Sequence, residues 1–325
     1  MLFTNKNSYG VQSNIFINNY HVGYVNLSRV KTKQGVTAGS AFSVDNHKQL
    51  SIIKSYNEFL ERFSLGIPID STKIIKSIDL EKRKIANRAY SEFGYGKHMI
   101  GFNDTTGTAS GKSSEIIIQK ALTELIEKNE VFCFWYGLKG RKISIDQRII
   151  KQIDCYKFIS NQFKLYVISE LSNFPTVIVM GFLDKKLITT GVCCSTDINK
   201  ALNLALKEAK GIEWQTFKNP LATSSHYSNL MHKRIFERVQ FMDKTLKSVS
   251  NVTINKSKTL KTIDWINHIE VAVIGDDVTR GIKVIKCISK QLLNSIPIKA
   301  NIEMQMEKEI VGKYLVDYSI DCPIQ

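Results

Sequence analysis

The stretch GTASGKSSEIIIQKALTELIEKNE, residues 107–130, carries two readings at once. Its first half looks like a phosphate-binding P-loop, a motif that needs four residues between its first Gly and the Gly-Lys-Ser/Thr. Here three residues separate Gly107 from Gly111, and the place one step earlier is Thr106. Its second half reads as a helix from about Ser113 to Tyr136, with one acidic residue oddly placed. At about 100° per residue, Glu124 falls among Ile117, Ala121 and Val131, on the apolar stripe of its own helix.

Working outward, the same design recurs. The turn GVTAGSAFSVDNH (35–47) leads into SYNEFLER (55–62), and TGVCCSTDIN (190–199) leads into ALKEAKGI (205–212). In each helix a small residue precedes a Glu by three: Ser55 and Glu58, Ala121 and Glu124, Ala205 and Glu208. The first two add Glu61-Arg62 and Glu127-Lys128. Glu208 lies among Ala201, Ala205 and Ile212, whereas Glu58 has Lys54 and Arg62 four residues to either side. A carboxylate on a core-facing stripe must be paired, protonated or bound to a cation. An ordinary solvated face explains one such helix; recurrence behind three similar turns argues for a shared purpose. Glu124 and Glu127, spaced i,i+3, are neighbours on the helix surface. Gathering such groups costs about 4 kcal/mol per close pair at an effective dielectric of 20. A divalent cation removes that cost, and hard oxygen ligands without His or Cys point to Mg²⁺ completed by water and phosphate.

The 325 residues are 43% hydrophobic and 23% charged, values of a globular chain with a sizeable core. The start, MLFTNKNSYGVQ, lacks the cationic-then-apolar order of a signal peptide. The longest apolar run, FPTVIVMGFL (174–183), is half a membrane span, so no membrane is expected. Cysteines 133, 155, 193, 194, 287 and 322 fit no zinc spacing, which suits a reduced, cytoplasmic protein. The net charge of +15 suits an anionic partner. Its basic residues are scattered, however, with no dense run beyond KSKTLK (256–261) and no nucleic-acid-binding signature, which argues against DNA or RNA.

Strand-like and helix-like segments alternate, as in a mixed α/β (α+β) fold. Helices are expected over 46–64, 113–136, 197–217 and 229–246, and strands in NIFINNYHVGYVNL, KLYVISEL, TVIVMGFL, VAVIGDD and GIKVIKCIS. No low-complexity linker divides the chain and only five prolines are present, which favours one domain over 1–325.

Together the three turn–helix blocks resemble the YcaO family, most closely the ATP-dependent cyclodehydratases that form azolines in thiazole/oxazole-modified ribosomal peptides. The likeness is firmest over 35–217, with 218–325 expected to add a helix, strands and a short tail. It implies a YcaO-like fold, with β-sheet segments and Glu-bearing helices around a nucleotide site without a P-loop. ATP and Mg²⁺ are the implied cofactors. By resemblance Glu58, Glu61, Glu124, Glu127 and Glu208 are metal-ligand candidates, and Ser110, Glu115 and Lys128 are nucleotide-site candidates. Lys112 then need not touch phosphate. The implied substrate is a precursor peptide in which a Cys, Ser or Thr side chain adds to the preceding carbonyl. ATP phosphorylates the resulting oxyanion, and elimination leaves the azoline. Implied partners are a leader-binding protein resembling the ubiquitin-activating type and a flavin-dependent azoline dehydrogenase; a homodimer is also compatible.

Several positions depart from the family pattern. Glu127-Lys128-Asn129 replaces Glu-Arg-Asp, and Lys lacks the planar fork that grips phosphate bidentately. Ile116 stands where a second Glu is frequent, and Leu204 and Gly211 where Arg and Gln are frequent. The end, DYSIDCPIQ, is a thin version of the proline-rich catalytic tail, with Pro323 as its catalytic candidate; by composition alone it reads as a frayed terminus. His98, His226 and His232 are conceivable bases, and Cys193-Cys194 reads as two small buried hydrophobes. These departures keep two alternatives open: a non-catalytic scaffold, and a thioamide- or amidine-forming enzyme.

Overall fold

A computed structural model describes residues 8–12, 20–26, 31–32, 35–36, 39–66, 73–218, 227–249, 259–275 and 281–324. His226 and part of the 35–47 turn lie outside them. Contacts gather the chain into two compact units. The first draws on Met1–Gln12, His21–Asn129 and Asp264–Lys313, the second on Ser13–Tyr20, Glu130–Ile263 and Tyr314–Gln325. Neither is a continuous stretch, which is why no linker marks them in the sequence.

The chain begins with β1 (Ser8–Gln12), β2 (His21–Asn26), β3 (Lys31–Thr32), β4 (Gly35–Val36) and β5 (Ser40–Asp45). Helix α1 (Lys48–Gly66) is followed by the hairpin β6 (Ile74–Asp79) and β7 (Lys84–Ala89). Short strands β8 (Gly96–His98), β9 (Gly101–Asn103) and β10 (Thr108–Gly111) lead into α2 (Ser114–Trp135). Then come β11 (Arg141–Ile143), α3 (Gln147–Asp154), β12 (Gln162–Ile168), β13 (Thr176–Leu183), β14 (Lys186–Cys194) and α4 (Ile198–Lys218). Helix α5 (Asn229–Thr245) and β15 (Ser248–Val249) precede β16 (Ile269–Val273), β17 (Lys283–Ser289), α6 (Lys299–Glu303) and α7 (Glu309–Tyr314).

The first unit holds a sheet in the order β10-β17-β16-β6-β7 and a smaller one, β1-β2-β5. Phe59, Leu60 and Leu65 of α1 pack with Val25, Ala41, Ala272, Val284 and Ile288 into one buried cluster. The second unit is built on β14-β13-β12-β11-β15. Strand β13, TVIVMGFL, is buried along nearly its whole length, as its continuous apolar run predicts.

All three expected turns prove to be partly strand, the first through Ser40–Asp45, which pairs antiparallel with β2. Thr108–Gly111 pairs antiparallel with β17, and Thr190–Cys194 pairs with β13. Their Gly, Ser, Thr and Cys residues have weak local β signal; the partner strands supply the ladder, β17 from far along the chain and β13 as the preceding arm of a hairpin.

The small residues before each Glu also find their reason. A Cβ on Gly23 of β2 would stand 2.3 Å from the backbone of Ser51 on α1. One on Gly191 of β14 would stand 2.1 Å from the Ala205 carbonyl of α4, and one on Gly107 would lie 3.6 Å from that of Ala121 on α2. Ser51, Ser55, Ala121, Ala205 and Ala209 are all fully buried. Helices α1 and α4 thus lie close on a strand through a glycine facing Ser51 and Ala205.

A buried charge ties three strands of the first unit. Glu270 of β16, about 4% exposed, accepts from Arg88 Nε of β7 at 2.9 Å, from Ser77 Oγ of β6 at 2.9 Å and from His268 Nε2 at 2.8 Å. Burial pushes its pKa up, but the hydrogen bonds from Arg88 and Ser77 and the charges of Arg88 and His268 outweigh that and hold it at about 2. A carboxylate with a depressed folded pKa stabilises above its ordinary 4.5 and loses that contribution as pH falls toward 2. We predict a drop in Tm across that window. In Glu270→Gln the drop should be shallower; an unchanged acid profile would refute the assignment.

Candidate functional site

In the first unit, α1 and α2 carry four of the predicted glutamates, and Glu61 meets the turn that leads into α2. Glu61 is the best fixed, with only about 7% of its surface exposed. Its Oε1 accepts from the Ser110 backbone N–H at 2.8 Å and from Ser110 Oγ at 2.9 Å, and Lys120 Nζ stands 3.3 Å away. Ser110 Oγ also reaches the Asn57 carbonyl at 3.1 Å. The pairing of Ser110 with Glu61, 49 residues apart, is the tertiary reason both fall at one place.

Glu58, half-buried, is clamped at 2.5 Å by Arg62 one turn on, and Glu127 lies 3.1 Å from Lys128. Lys128 is nearly buried. Glu124 is the member of this quartet for which no ion pair forms among the described residues. Burial, and then the charge of Glu61, push its carboxyl up to about 8, against the pull of Lys128 and Lys120. The Lys120 ammonium is held above the usual lysine range, first by Glu61, against burial, and further by Glu124. Sequence reading places Glu124 on the apolar stripe; the structure puts it half-buried at the margin of that stripe, beside fully buried Ala121 and Leu125.

The P-loop likeness fares differently. Lys112 and Glu115 are both exposed around the start of α2. A different lysine serves the turn: Lys286 of β17, fully buried, donates from Nζ to the Asp104 carbonyl at 2.7 Å and to the Thr106 carbonyl. Burial lowers its pKa to about 8 despite the nearby Asp104 and Glu124 charges. Gly107, at φ +72°, has room for no side chain, because a Cβ would stand 2.8 Å from the Cys287 carbonyl. That carbonyl's own residue donates back, from Cys287 N–H to Gly107 O at 2.7 Å. Sequence reading missed Lys286, whose only signal is a charged residue inside the apolar run KVIKCIS.

In the second unit, Glu208 of α4 is half-buried and accepts from the Val192 N–H of edge strand β14 at 2.7 Å. Pro323 is buried, in a segment the composition reads as frayed. Instead the segment is tied down. Trp135 Nε1 donates to the Ile320 carbonyl, Tyr136 Oη to Asp321, and the Cys322 N–H to Tyr136 Oη, each at 3.0 Å. Arg238 adds an ion pair to Asp317. His232 accepts from the Leu187 N–H through Nδ1, and His98 Nε2 lies 3.0 Å from the Gly94 carbonyl, so both have structural partners. Cys194 is buried and Cys193 half-buried.

Among the described residues, no group of three or more His, Cys, Asp or Glu side chains stands ready to hold a metal. Three of the four first-unit carboxylates are instead paired with Arg62, Lys120 and Lys128. The donor set still suits Mg²⁺, which keeps several waters and takes one or two carboxylates plus substrate phosphates.

Solved structures share this fold. A YcaO protein from Methanopyrus kandleri, bound with AMPPCP and Mg²⁺, superposes with a TM-score of 0.68 at 11% identity, over 90% of this chain and 88% of that one. A chain of the E. coli microcin synthetase McbBCD complex gives 0.65 at 12%, over 90% and 91%. A heterocyclase in complex with substrate and cofactor gives 0.65 at 12%, over 98% of this chain and 55% of that one. No curated protein matches the chain. The fold is therefore the mixed α/β one of these YcaO and heterocyclase structures. A family model described as YcaO cyclodehydratase, ATP- and Mg²⁺-binding, matches residues 85–264, more than half of the chain, which belongs to that family. ATP and Mg²⁺ are its cofactors. No described helix is long and apolar enough to cross a membrane.

Proposed function

We propose that the protein is an ATP- and Mg²⁺-dependent cyclodehydratase that converts Cys, or Ser and Thr, of a ribosomal precursor peptide into azolines. The observation that carries this is the pairing of Glu61 of α1 with Ser110 in the turn leading into α2, in a chain of the YcaO family. Bound Mg²⁺-ATP supplies the phosphoryl group that turns the amide oxygen into a leaving phosphate. The chain's own part is to position and neutralise. Glu124, Glu127, Glu58 and Glu61 are assigned to the metal. Ser110 and the N–H groups opening α2 suit the phosphates, with Glu115 and Lys128 as flanking nucleotide contacts. Pro323 is assigned to the tail that meets the reacting peptide. Leader recognition is assigned to a separate partner resembling the ubiquitin-activating type, and oxidation to azoles to a flavin enzyme. The multi-chain make-up of the microcin synthetase supports a division of labour of this kind.

The test is thermal unfolding with Mg²⁺ alone, ATP alone and both, followed by phosphate release with candidate peptides. Because the quartet is laced with lysine and arginine, Mg²⁺ alone should shift Tm little. Mg²⁺-ATP at a hundredfold excess over Kd should add about 2.7 kcal/mol, and Lys112→Ala should leave that gain intact. Loss of the gain in Lys112→Ala would mean a working P-loop and end this reading. Peptide-dependent phosphate release with loss of one water per ring marks azoline formation. Oxygen-to-sulfur exchange would mark the thioamide alternative, and binding without phosphate release the scaffold.

A further inference from the structure

Lys120 has no place in the roles assigned so far, yet its ammonium stands among the carboxylates. It lies 3.3 Å from Glu61 Oε1, on the oxygen that Ser110 already engages twice. It also precedes Glu124 by one helical turn, and its charge acts on both Glu58 and Glu124. The side chain is about 59% exposed, and among the described residues Glu61 is its ion-pair partner. Arg62 and Lys128 keep to Glu58 and Glu127, next on their own helices; Lys120 of α2 instead reaches across to Glu61 of α1.

We infer that Lys120 is a resident counter-cation that competes with Mg²⁺ for Glu61, and so sets the Mg²⁺ concentration at which nucleotide binds. This rests on the metal-site reading proposed above. The physical logic is exchange of one cation for another. With Lys120 in place, α1 and α2 hold their acidic faces together without metal. To take Mg²⁺, Glu61 would have to release the ammonium, and the exposed stem of Lys120 would give it room to leave. Lys120 is a positioning residue here; it is assigned no contact with the reacting atoms.

The experiment is calorimetric binding of a non-hydrolysable ATP analogue across a Mg²⁺ series. It compares the wild type with Lys120→Met, Lys120→Arg and Glu124→Gln. In Lys120→Met the Mg²⁺ needed for half-maximal binding should fall about two- to fivefold, the size of an exposed ion pair's contribution. Affinity at saturating Mg²⁺ should stay at the wild-type value, and Lys120→Arg should behave as wild type. An unchanged or raised Mg²⁺ requirement in Lys120→Met overturns the inference. So does weaker binding at saturating Mg²⁺, which would make Lys120 a phosphate ligand, or an Lys120→Arg that behaves like Lys120→Met. Should the wild type bind the analogue without Mg²⁺, or Glu124→Gln keep the wild-type Mg²⁺ dependence, the metal-site reading itself fails. Lys120 is exposed, so its variants are expected to fold, and their unliganded Tm checks that.

Discussion

Glu124→Gln is expected to abolish Mg²⁺-dependent nucleotide binding while making the unliganded protein more stable at high pH. The two effects have one cause. Glu124 is the quartet's uncompensated carboxyl, lifted from an ordinary 4.5 to about 8 by burial and by Glu61. A carboxyl whose pKa rises on folding holds more protons folded than unfolded between those values. Stability therefore falls as pH climbs from 4.5 toward 8, and the full cost of the buried charge is present above 8. A glutamine carries no such cost, so above pH 8 its Tm should exceed the wild type's by roughly a few degrees. The same change removes the charge that a divalent cation would neutralise, and the Mg²⁺-ATP gain should vanish with it. Thermal scans from pH 5 to about 9, with and without Mg²⁺-ATP, read both effects. A variant less stable at every pH would mean that Glu124 is a structural partner, and its assignment to the metal would fall.

Glu213→Ala is expected to destabilise the second unit by about 3–5 kcal/mol, the cost of breaking a buried ion pair from one side. Glu213 is fully buried on α4. It accepts from the backbone N–H groups of Ile159 at 2.9 Å and Ser160 at 3.0 Å, from Ser160 Oγ at 2.9 Å and from Lys210 Nζ at 2.6 Å. Lys210 is itself buried and donates to the Lys157 carbonyl at 2.9 Å. Removing Glu213 leaves an ammonium and two amides without their acceptor. Adding Lys210→Met should recover part of the loss, because the stranded charge goes; the orphaned amides keep the recovery incomplete. Glu213→Gln should fall between, since it keeps an acceptor oxygen. Denaturant unfolding measures all three. A loss under about 1 kcal/mol in Glu213→Ala would show that water replaces the carboxylate freely.

These two glutamates also mark what was legible. Glu124 stands out in the sequence because it interrupts an apolar stripe, and that pattern is local: a helix's periodicity is written in consecutive residues. Glu213, in KGIEW with Lys210 three residues earlier, has the look of a surface i,i+3 pair. It is buried because the loop at 159–160 comes to it from another part of the chain.

The same division runs through the fold. Local pattern suffices for the four long helices, found over Lys48–Gly66, Ser114–Trp135, Ile198–Lys218 and Asn229–Thr245, and for the apolar strand TVIVMGFL. It also suffices for the small residue three places before each Glu. Strands β10 and β14 were not legible as strands: the ladder of β10 comes from far along the chain, and the Gly- and Cys-containing end of β14 shows itself as strand only through its pairing with the neighbouring β13. Nor was the use of Lys286 under the Thr106 turn, or the anchoring of the Pro323 segment by Tyr136 and Arg238. What the amino-acid order determined by itself is periodicity, and with it which helices carry carboxylates toward their packed faces. What only tertiary structure decided is compensation: which carboxylate meets a lysine, which accepts backbone amides, and which is left for a cation. That choice depends on which distant group arrives within about 3 Å, because charge and hydrogen-bond energies inside a protein are set by contact geometry and local water.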